Sequence, residues 1–522
     1  MKNRNKYLPF LFFLTLSAGL VLGTLLNFPA PKLATSSNNQ NKIKKLIEFI
    51  DNEYVDKVNS DSIVDLALTN ILGKLDPHSV YIDKTEMKGV NESMKGDFVG
   101  VGIQYYLTND TIAVIQTLKN GPSEKAGIIA GDRILFADKF KLFGKKITSD
   151  ELSSKLKGAV GSNVLLTVYR KSRGQKLEIN IKRDVVAVKS VDVGLMLNDN
   201  TAYIKINRFA ATTYTEFAAE LNKLKKMGAK ALVVDLRDNG GGYLEKAVEI
   251  ADDFLSKGKL IVFTKNQKNN VDKTFATENG IFESGKLFVL INENSASASE
   301  ILAGALQDND RATIVGRRSF GKGLVQREMN FSDGSAVRLT VARYFTPSGR
   351  SIQKPYKKGN DDYYKDSERR FESGELTEKD SIKINDSLKF KTLNGRTVYG
   401  GGGIVPDIFV PILKKGASEQ VDFLMQNINL GNFVFEQLDK KRADFQNFTF
   451  KDFNKKMTKT DLYFNNFQNY INKSGLNFNL KQSKNKVKTM INAEFAKQLF
   501  GDEKYFEIII KQDSMIEQLL QL

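Results

Sequence analysis

Apolar residues recur at helical spacing once the chain passes residue 42. Ile43, Leu46, Ile47 and Ile50 fall every three or four positions, as do Ile63, Leu66, Ala67, Ile71 and Leu72, an interval that lines one face of an α-helix. Asp76-Pro-His-Ser79 breaks the pattern and reads as a turn. From Asp97 to Lys182 short β-type runs take over: Phe98–Tyr106, Thr111–Leu118, Gly131–Phe136, and the pair Asn163–Arg170 and Lys176–Lys182, which predicts a hairpin. Gly121–Gly127 reads as a turn into a short helix and Ser149–Gly158 as a longer one. From Val191 strands and helices alternate. Thr201–Arg208 is a strand, Tyr214–Met227 a helix with Phe217, Leu221 and Leu224 on one face, and Tyr243–Leu255 another helix. Ala231–Leu236 is continuously apolar, as expected of a strand covered on both faces. Leu260–Thr264, Leu287–Ile291 and Thr313–Val315 are read as further strands of one layered α/β core.

These shifts divide the 522 residues into segments: 1–28, an apolar segment behind basic residues; 29–41, a polar Ser/Asn-rich linker; 42–96, helical; 97–185, β-rich; 186–412, the α/β core; and 413–522, helical. Within the core, Lys354–Lys391 is densely charged and lacks strand alternation, so it is expected to be a surface excursion. Leu413–Leu522 is rich in Lys, Asn and Phe, with helical spacing at Val421, Phe423, Leu424 and Ile428 and again over Ile508–Leu522. It reads as a packed helical cap or as a dimerisation or adaptor domain.

Lys2, Arg4 and Lys6 precede an uncharged run from Tyr7 to Phe28. About 20 apolar residues cross a bilayer, and basic residues ahead of such a run keep the extreme N-terminus cytoplasmic. The expectation is a membrane anchor, or a signal segment, with the body exported to the cell envelope on the periplasmic side. The formal net charge is +17, but Lys and Arg are spread widely, without an arginine-rich groove holding interleaved aromatics. A solvated basic surface is expected, and no nucleic-acid partner. Cysteine is absent, which excludes a disulfide framework, a thiolate metal site and a cysteine nucleophile.

The candidate chemistry centres on Asn292–Gln326. A strand ends at Ile291, the small residues Ser295-Ala-Ser-Ala-Ser299 follow, and a helical pattern then begins with Glu300 in its first turn. A serine at such a turn is exposed beside free backbone N–H groups. The chain has a single histidine, His78, which lies in a turn far upstream, so a lysine is the remaining base for a serine. Lys322, between two glycines and near Phe320, Leu324 and Val325, has neighbours that would desolvate its amine towards a pKa of roughly 7–8 from ~10.4. The residues alone leave Ser295, Ser297 and Ser299 equally open as nucleophile. A second candidate is Asp235-Leu-Arg-Asp-Asn-Gly-Gly-Gly242, whose glycines precede a helix and suit an oxyanion hole or a phosphate loop. The Walker pattern is missing, since no Gly-Lys-Ser/Thr follows.

Two resemblances sharpen this reading. The strand order of 97–182, with Pro122-Ser-x-x-Ala-Gly127 and Gly131-Asp-x-Ile134, resembles a PDZ domain of the bacterial protease type. Together with Asp235–Gly242, Ser295–Glu300, Phe320–Gln326, Leu75–Ser79, Tyr344–Arg350 and Gly401–Asp407, it makes residues 40 to 411 resemble the C-terminal processing (tail-specific) serine proteases. That resemblance implies a layered, crotonase-like core and a Ser/Lys dyad of Ser297 and Lys322, with Gln326 supporting the lysine. It also implies an oxyanion hole of the Ala298 N–H with that of Gly240 or Gly241, and no metal or other cofactor. A PDZ domain takes a peptide as an added strand and holds its terminal carboxylate on backbone N–H groups, a role that falls here to Gly100, Val101, Gly102 and Ile103. The implied partners are protein substrates with accessible C-terminal tails, the membrane, and a second copy or an adaptor protein. The PDZ module is further expected to gate the protease until a tail binds. Two other functions compete: a catalytically silent PDZ scaffold, and an acyl-thioester enzyme on a crotonase-like core.

Overall fold

A computed structural model describes residues 12–17, 19, 40–108, 110–144, 146–278, 280–412, 421, 424, 430–445, 447–476 and 478–521. Most of the apolar run Tyr7–Phe28, nearly all of the linker, and Phe423 and Ile428 lie outside the described residues. Among the described residues no helix is long and apolar enough to cross a membrane. The chain divides into two units, Met1–Ile71 and Leu72–Leu522. In the first, the helix Gln40–Glu53 carries the expected spacing, with Ile43, Leu46 and Phe49 exposed.

The core of the second unit is a six-stranded sheet in the order Val191–Met196, Thr201–Ile206, Ala231–Asp235, Lys286–Ile291, Thr313–Gly316, Ile408–Phe409. Its first pair is antiparallel and the rest are parallel. Alternate side chains of the central strands enter two separate cores. Leu232, Val234, Leu287, Val289 and Ile291 pack with Phe217, Leu221 and Leu224 of the helix Thr213–Lys226, with Ala247 and Ile250 of Leu244–Asp252, and with Ile301, Leu302 and Ala305 of Ala298–Asp308. Val233, Phe288, Leu290 and Val315 face the other way, against Ile510, Met515, Ile516 and Leu519 from the end of the chain. Both faces are dry, which is why these strands are continuously apolar.

A second, antiparallel sheet joins Val80–Ile82, Ala336–Phe345, Leu260–Asn266 and Val271–Phe275, with Leu324–Asn330 also paired to Ala336–Phe345. Leu260–Asn266 is a strand, as expected, and joins this antiparallel sheet because the turn that follows folds it into a hairpin. Asn266 Oδ1 accepts the N–H groups of Lys268 and Asn270, and Asn269 sits at φ 62°, so the adjacent strand captures it locally. The 42–96 segment also contributes the short strand Val80–Ile82 to this sheet.

The β-rich module has the strand order Ile103–Thr108, Thr111–Thr117, Asp132–Ala137, Asn163–Arg170, Gln175–Lys182, all antiparallel. A separate ribbon, Asp97–Gly100 with Asp184–Ala187, closes its entry against its exit. The C-terminal helices Leu430–Lys441, Phe450–Lys459, Leu462–Lys473 and Lys484–Phe500 bury an aromatic core that includes Phe433, Phe453, Phe467 and Phe495.

The stretch 354–391 exposes most of its charged residues, as expected of a surface excursion, but part of it is buried. Tyr363, Arg370, Glu375 and Lys354 are only 1%, 4%, 4% and 5% exposed, on and around the helices Asn360–Tyr364 and Asp366–Glu372. The charges of this buried part are paired within the protein: Lys354 and Arg370 pair with Asp366, and Glu375 with Arg318. A buried charge persists only when paired in this way.

Candidate active site

The strand Lys286–Ile291 delivers the chain into a turn that discriminates among the three serines. Ser295 Oγ donates to Leu236 O at 2.8 Å and Ser299 Oγ to Asn239 O at 2.9 Å, and both residues are fully buried. These hydroxyls tie the turn to the 236–239 segment beside it. Ser297 is half-buried and its hydroxyl donates to no partner among the described residues. It stands at the N-terminus of Ala298–Asp308 with φ 57° and ψ −114°, a conformation costly for a residue with a Cβ and typical of a strained functional turn.

Glu300 joins this turn to the lysine loop. Its carboxylate is fully buried. Oε2 accepts the N–H groups of Ser297 at 2.9 Å and Lys322 at 2.8 Å, and Oε1 accepts Gly321 N–H at 2.7 Å and Ser319 Oγ at 2.5 Å. Burial pushes its carboxyl above the usual range, opposed by these donors.

The glycines on either side of Lys322 are steric requirements. A Cβ on Gly321, at φ +89°, would come within 3.1 Å of the Gly402–Gly403 backbone, and one on Gly323 within 2.9 Å of Gln353 N. Lys322 itself is half-buried. Burial, and secondarily Arg338, lowers its amine to about 8 against the opposing pull of Glu300 and Asp76. Its Nζ has no hydrogen-bond or ion-pair partner among the described residues. In this structure the backbones of Ser297 and Lys322 meet on one carboxylate, while the amine and the Ser297 hydroxyl are not hydrogen-bonded to each other. Gln326, in the strand Leu324–Asn330, likewise has a buried Nε2 without a partner.

The 353–370 segment braces the lysine loop. Gln353 Oε1 accepts Gly323 N–H at 2.8 Å, Lys354 N–H donates to Gly321 O at 2.9 Å, and Arg370 donates to Ser319 O at 2.8 Å. The Lys354 ammonium lies 3.8 Å from the Phe320 ring centroid and 4.2 Å from that of Tyr363, and burial lowers it to about 8. His78 is held here too. Its Nε2 is 2.9 Å from Tyr363 Oη, and burial, with Lys322 nearby, lowers it to about 4, so it is neutral at neutral pH. Asp76 accepts from His78 N, Ser79 N, Ser79 Oγ and Thr340 Oγ1, pinning the turn to the strand Ala336–Phe345. His78 is thus a structural part of the wall.

On the opposite side, the glycine turn presses on Ser297. Gly241, at φ +105°, lies so close that a Cβ would come within 2.8 Å of Ser297 Cβ and 3.0 Å of Ala298 N. Its own N–H is taken by Asn239 Oδ1 at 2.9 Å, whereas the N–H groups of Gly240 and Ala298 have no acceptor among the described residues. The choice between Gly240 and Gly241 therefore favours Gly240 as the free donor. Beneath the turn, burial pushes Asp235 up, but Arg237 and Lys205 hold it down at about 2. Arg237 reaches on to Asp513 at 2.7 Å. Free donors, a serine and a depressed amine are the parts that acyl transfer requires.

The expected peptide loop lies apart, in the β-rich module. Val101 O and Gly102 O accept Ser123 N–H and Leu118 N–H at 2.9 and 3.0 Å. The N–H groups of Val101 and Gly102 have no acceptor among the described residues. Gly100 closes the ribbon to Asp184 and Ile103 opens the edge strand. Three contributors escape the sequence reading: Glu300, Tyr363 and Asp513. The Ser-x-x-Glu spacing of a capping box marks Glu300; nothing local marks the other two.

Comparison with known proteins gives a consistent picture. The pattern defining peptidase family S41 matches residues 200–360, that of PDZ domains residues 99–181, and that of the activating protease CtpB N-terminal domain residues 27–86. Residues 421–501 match a family of unknown function. The carboxy-terminal-processing protease of Bartonella bacilliformis is 36% identical over 346 residues, 64% of this chain and 79% of that protein. A Staphylococcus aureus protein named "Probable CtpA-like serine protease" is 36% identical over 322 residues, 61% of this chain and 63% of its own length. Among solved structures, the photosystem II D1 C-terminal processing protease is 26% identical with a TM-score of 0.36, covering 72% of this chain and 88% of that one.

Proposed function

The chain belongs to the family of carboxy-terminal-processing serine proteases, peptidases that carry a PDZ domain, and from that premise we propose that it cleaves peptide bonds with Ser297 as nucleophile and Lys322 as general base. The neutral Lys322 amine takes the Ser297 proton as Oγ attacks the scissile carbonyl. The N–H groups of Ala298 and Gly240 receive the developing oxyanion. Protonated Lys322 then returns its proton to the leaving amine. Water attacks the acyl-enzyme with the same amine as base. Gln326 Nε2, buried without a partner, orients the lysine in the reactive arrangement.

The observation that carries this reading is the Glu300 carboxylate, which receives the backbone N–H groups of both Ser297 and Lys322 on one oxygen. The Lys322 amine makes no bond to Ser297, which supports a resting state released by tail binding at Val101 and Gly102, with the PDZ domain as gate. The same reading places the protein at the membrane through Tyr7–Phe28, with the catalytic body exported.

The test is digestion of a tailed, loosely folded protein by wild type, Ser297→Ala and Lys322→Ala. Each substitution should lower turnover by roughly 10⁴-fold or more; wild-type rates in either variant would overturn the dyad. Deleting Asp97–Lys182 should change basal cleavage of short peptides, and an unchanged rate would remove the gate. Recovery of the full-length chain in the soluble cytoplasmic fraction would remove the anchor.

A further inference from the structure

The strand Ile103–Thr108 is an edge: it pairs with Thr111–Thr117 on one side and with no other strand among the described residues. Its side chains alternate between two surroundings. Ile103 and Tyr105 belong with Val101, Leu152 and Leu156, the apolar side facing the helix Ser149–Leu156. Gln104 and Tyr106 face the opposite side, where Gln104 accepts from Gln116 Nε2 at 2.9 Å and Tyr106 meets Phe435 edge-on at 6.2 Å.

That opposite side is covered by the C-terminal helical domain rather than by solvent. The helix Leu430–Lys441 lies so close that a Cβ on Gly431 would overlap the Tyr106 hydroxyl. Asp439 pairs with Arg133 at 2.9 Å and Lys171 at 2.7 Å, and the Arg133 guanidinium lies 5.1 Å from the Phe435 ring centroid. Beside this contact is a cavity of about 310 Å³ bounded by the edge strand, Ile115 and Gln116, and by Glu494, Lys497 and Gln498 of the helix Lys484–Phe500. Gln498 is 6% exposed. Its Nε2 donates to Gly431 O and Glu494 Oε1, both at 2.9 Å, but its Oε1 has no partner among the described residues. A buried acceptor left open on a cavity carries a desolvation cost that a ligand donor would remove.

We propose that the C-terminal domain is half of the tail-binding site. A substrate tail added as a strand to Ile103–Thr108 sends alternate side chains into the apolar groove and, between them, into this cavity, where Gln498 and Glu494 select hydrogen-bond donors. Alternation follows from the strand period of two. With the terminal carboxylate on Val101 and Gly102 and the last side chain in the groove, the second and fourth residues from the end face the helix Lys484–Phe500. The chemical class selected there is Ser, Thr, Asn, Gln or Lys, because the open group, Gln498 Oε1, is an acceptor and stands beside the Glu494 carboxyl, which accepts from Gln498 Nε2 and Tyr106. Lys497, which pairs with Asp502 at 3.8 Å, adds a charge at the rim. The proposal rests on Gly100–Ile103 being the carboxylate loop.

The experiment measures binding of labelled ten-residue tail peptides to the full chain by fluorescence anisotropy, varying one tail position at a time. Wild type should bind a tail with Asn second from the end about tenfold more tightly than one with Leu there. Gln498→Leu should abolish that preference and leave discrimination at the last and third-from-last residues intact. Lys497→Glu, at the half-buried rim of the cavity, should strengthen the preference at the second residue for Lys over Asn. Melting temperature and circular dichroism establish that each variant is folded. Unaltered selectivity at the second residue in both variants would overturn the proposal while leaving the carboxylate loop standing. No tail binding by wild type, or binding indifferent to amidation of the terminal carboxylate, would overturn both.

Discussion

The backbone N–H groups of Ser297 and Lys322 donate to the same atom, Oε2 of Glu300, at 2.9 and 2.8 Å. The proposed nucleophile and base arrive on different segments, one at a helix start and the other in the loop before Leu324–Asn330. A single buried carboxylate sets their register. A capping residue, ordinarily a local device, here spans the site.

Glu300→Gln tests this. An amide has one acceptor oxygen and adds two donors, so some of the four groups now on the carboxylate must lose their partner. The expected result is a fall in kcat of roughly 100-fold with KM for tailed substrates little changed, since the PDZ groove is untouched. Stability should drop by about 1–3 kcal/mol. Steady-state kinetics beside urea denaturation separate the two effects, and an unchanged kcat would rule out the registering role.

The three serines should separate cleanly. Ser297→Ala should abolish turnover at little cost in stability, because its hydroxyl donates to no partner among the described residues. Ser295→Ala and Ser299→Ala, which break buried bonds to Leu236 O and Asn239 O, should each cost about 1–3 kcal/mol while retaining measurable activity. Ser297→Gly relieves the positive φ and should stabilise by about 1 kcal/mol. Thermal melts of the four variants check the pattern.

The pH dependence follows from Lys322. The neutral amine is the working form, so kcat/KM should rise with pH through about 8 and flatten above it. Lys322→Arg should be inactive at every pH, because a guanidinium does not deprotonate. The stability effect has its own sign. A lysine whose folded pKa is depressed leaves the unfolded chain binding more protons as pH rises above about 8, so this group's contribution to stability increases from there towards the ordinary lysine range. A rate that falls through this window would exclude the lysine base.

Asp513 connects the C-terminal helical segment to the glycine turn through Arg237 and Asp235. Asp513→Asn should lower kcat several-fold, with Asp513→Glu recovering part of it. Met515→Ala and Leu519→Ala, in the core on the sheet's second face, should each cost about 2–5 kcal/mol in urea titrations. A C-terminal segment that could be truncated without loss of stability would contradict this packing.

The sequence by itself carried everything encoded over a few residues. The PDZ-like order of strands, the alternating core, the lysine between glycines and the serine-rich turn were legible because side-chain period, turn residues and hydroxyl placement act locally. The argument from one histidine and no cysteine needed only counting. The tertiary structure decided what depends on partners far along the chain. Which of three adjacent serines keeps a free hydroxyl depends on the carbonyls of Leu236 and Asn239, some 60 residues away. Whether part of a charged stretch becomes wall depended on Arg318 and Phe320 meeting Glu375 and Lys354. Leu260–Asn266 joined the antiparallel sheet because a neighbouring strand could pair with it at the cost of one short turn. The C-terminal residues showed only helical spacing in the sequence. Their burial against the second face of the core sheet, and their place beside the PDZ edge, exist only once distant segments are brought together, since burial and charge pairing are properties of neighbours in space.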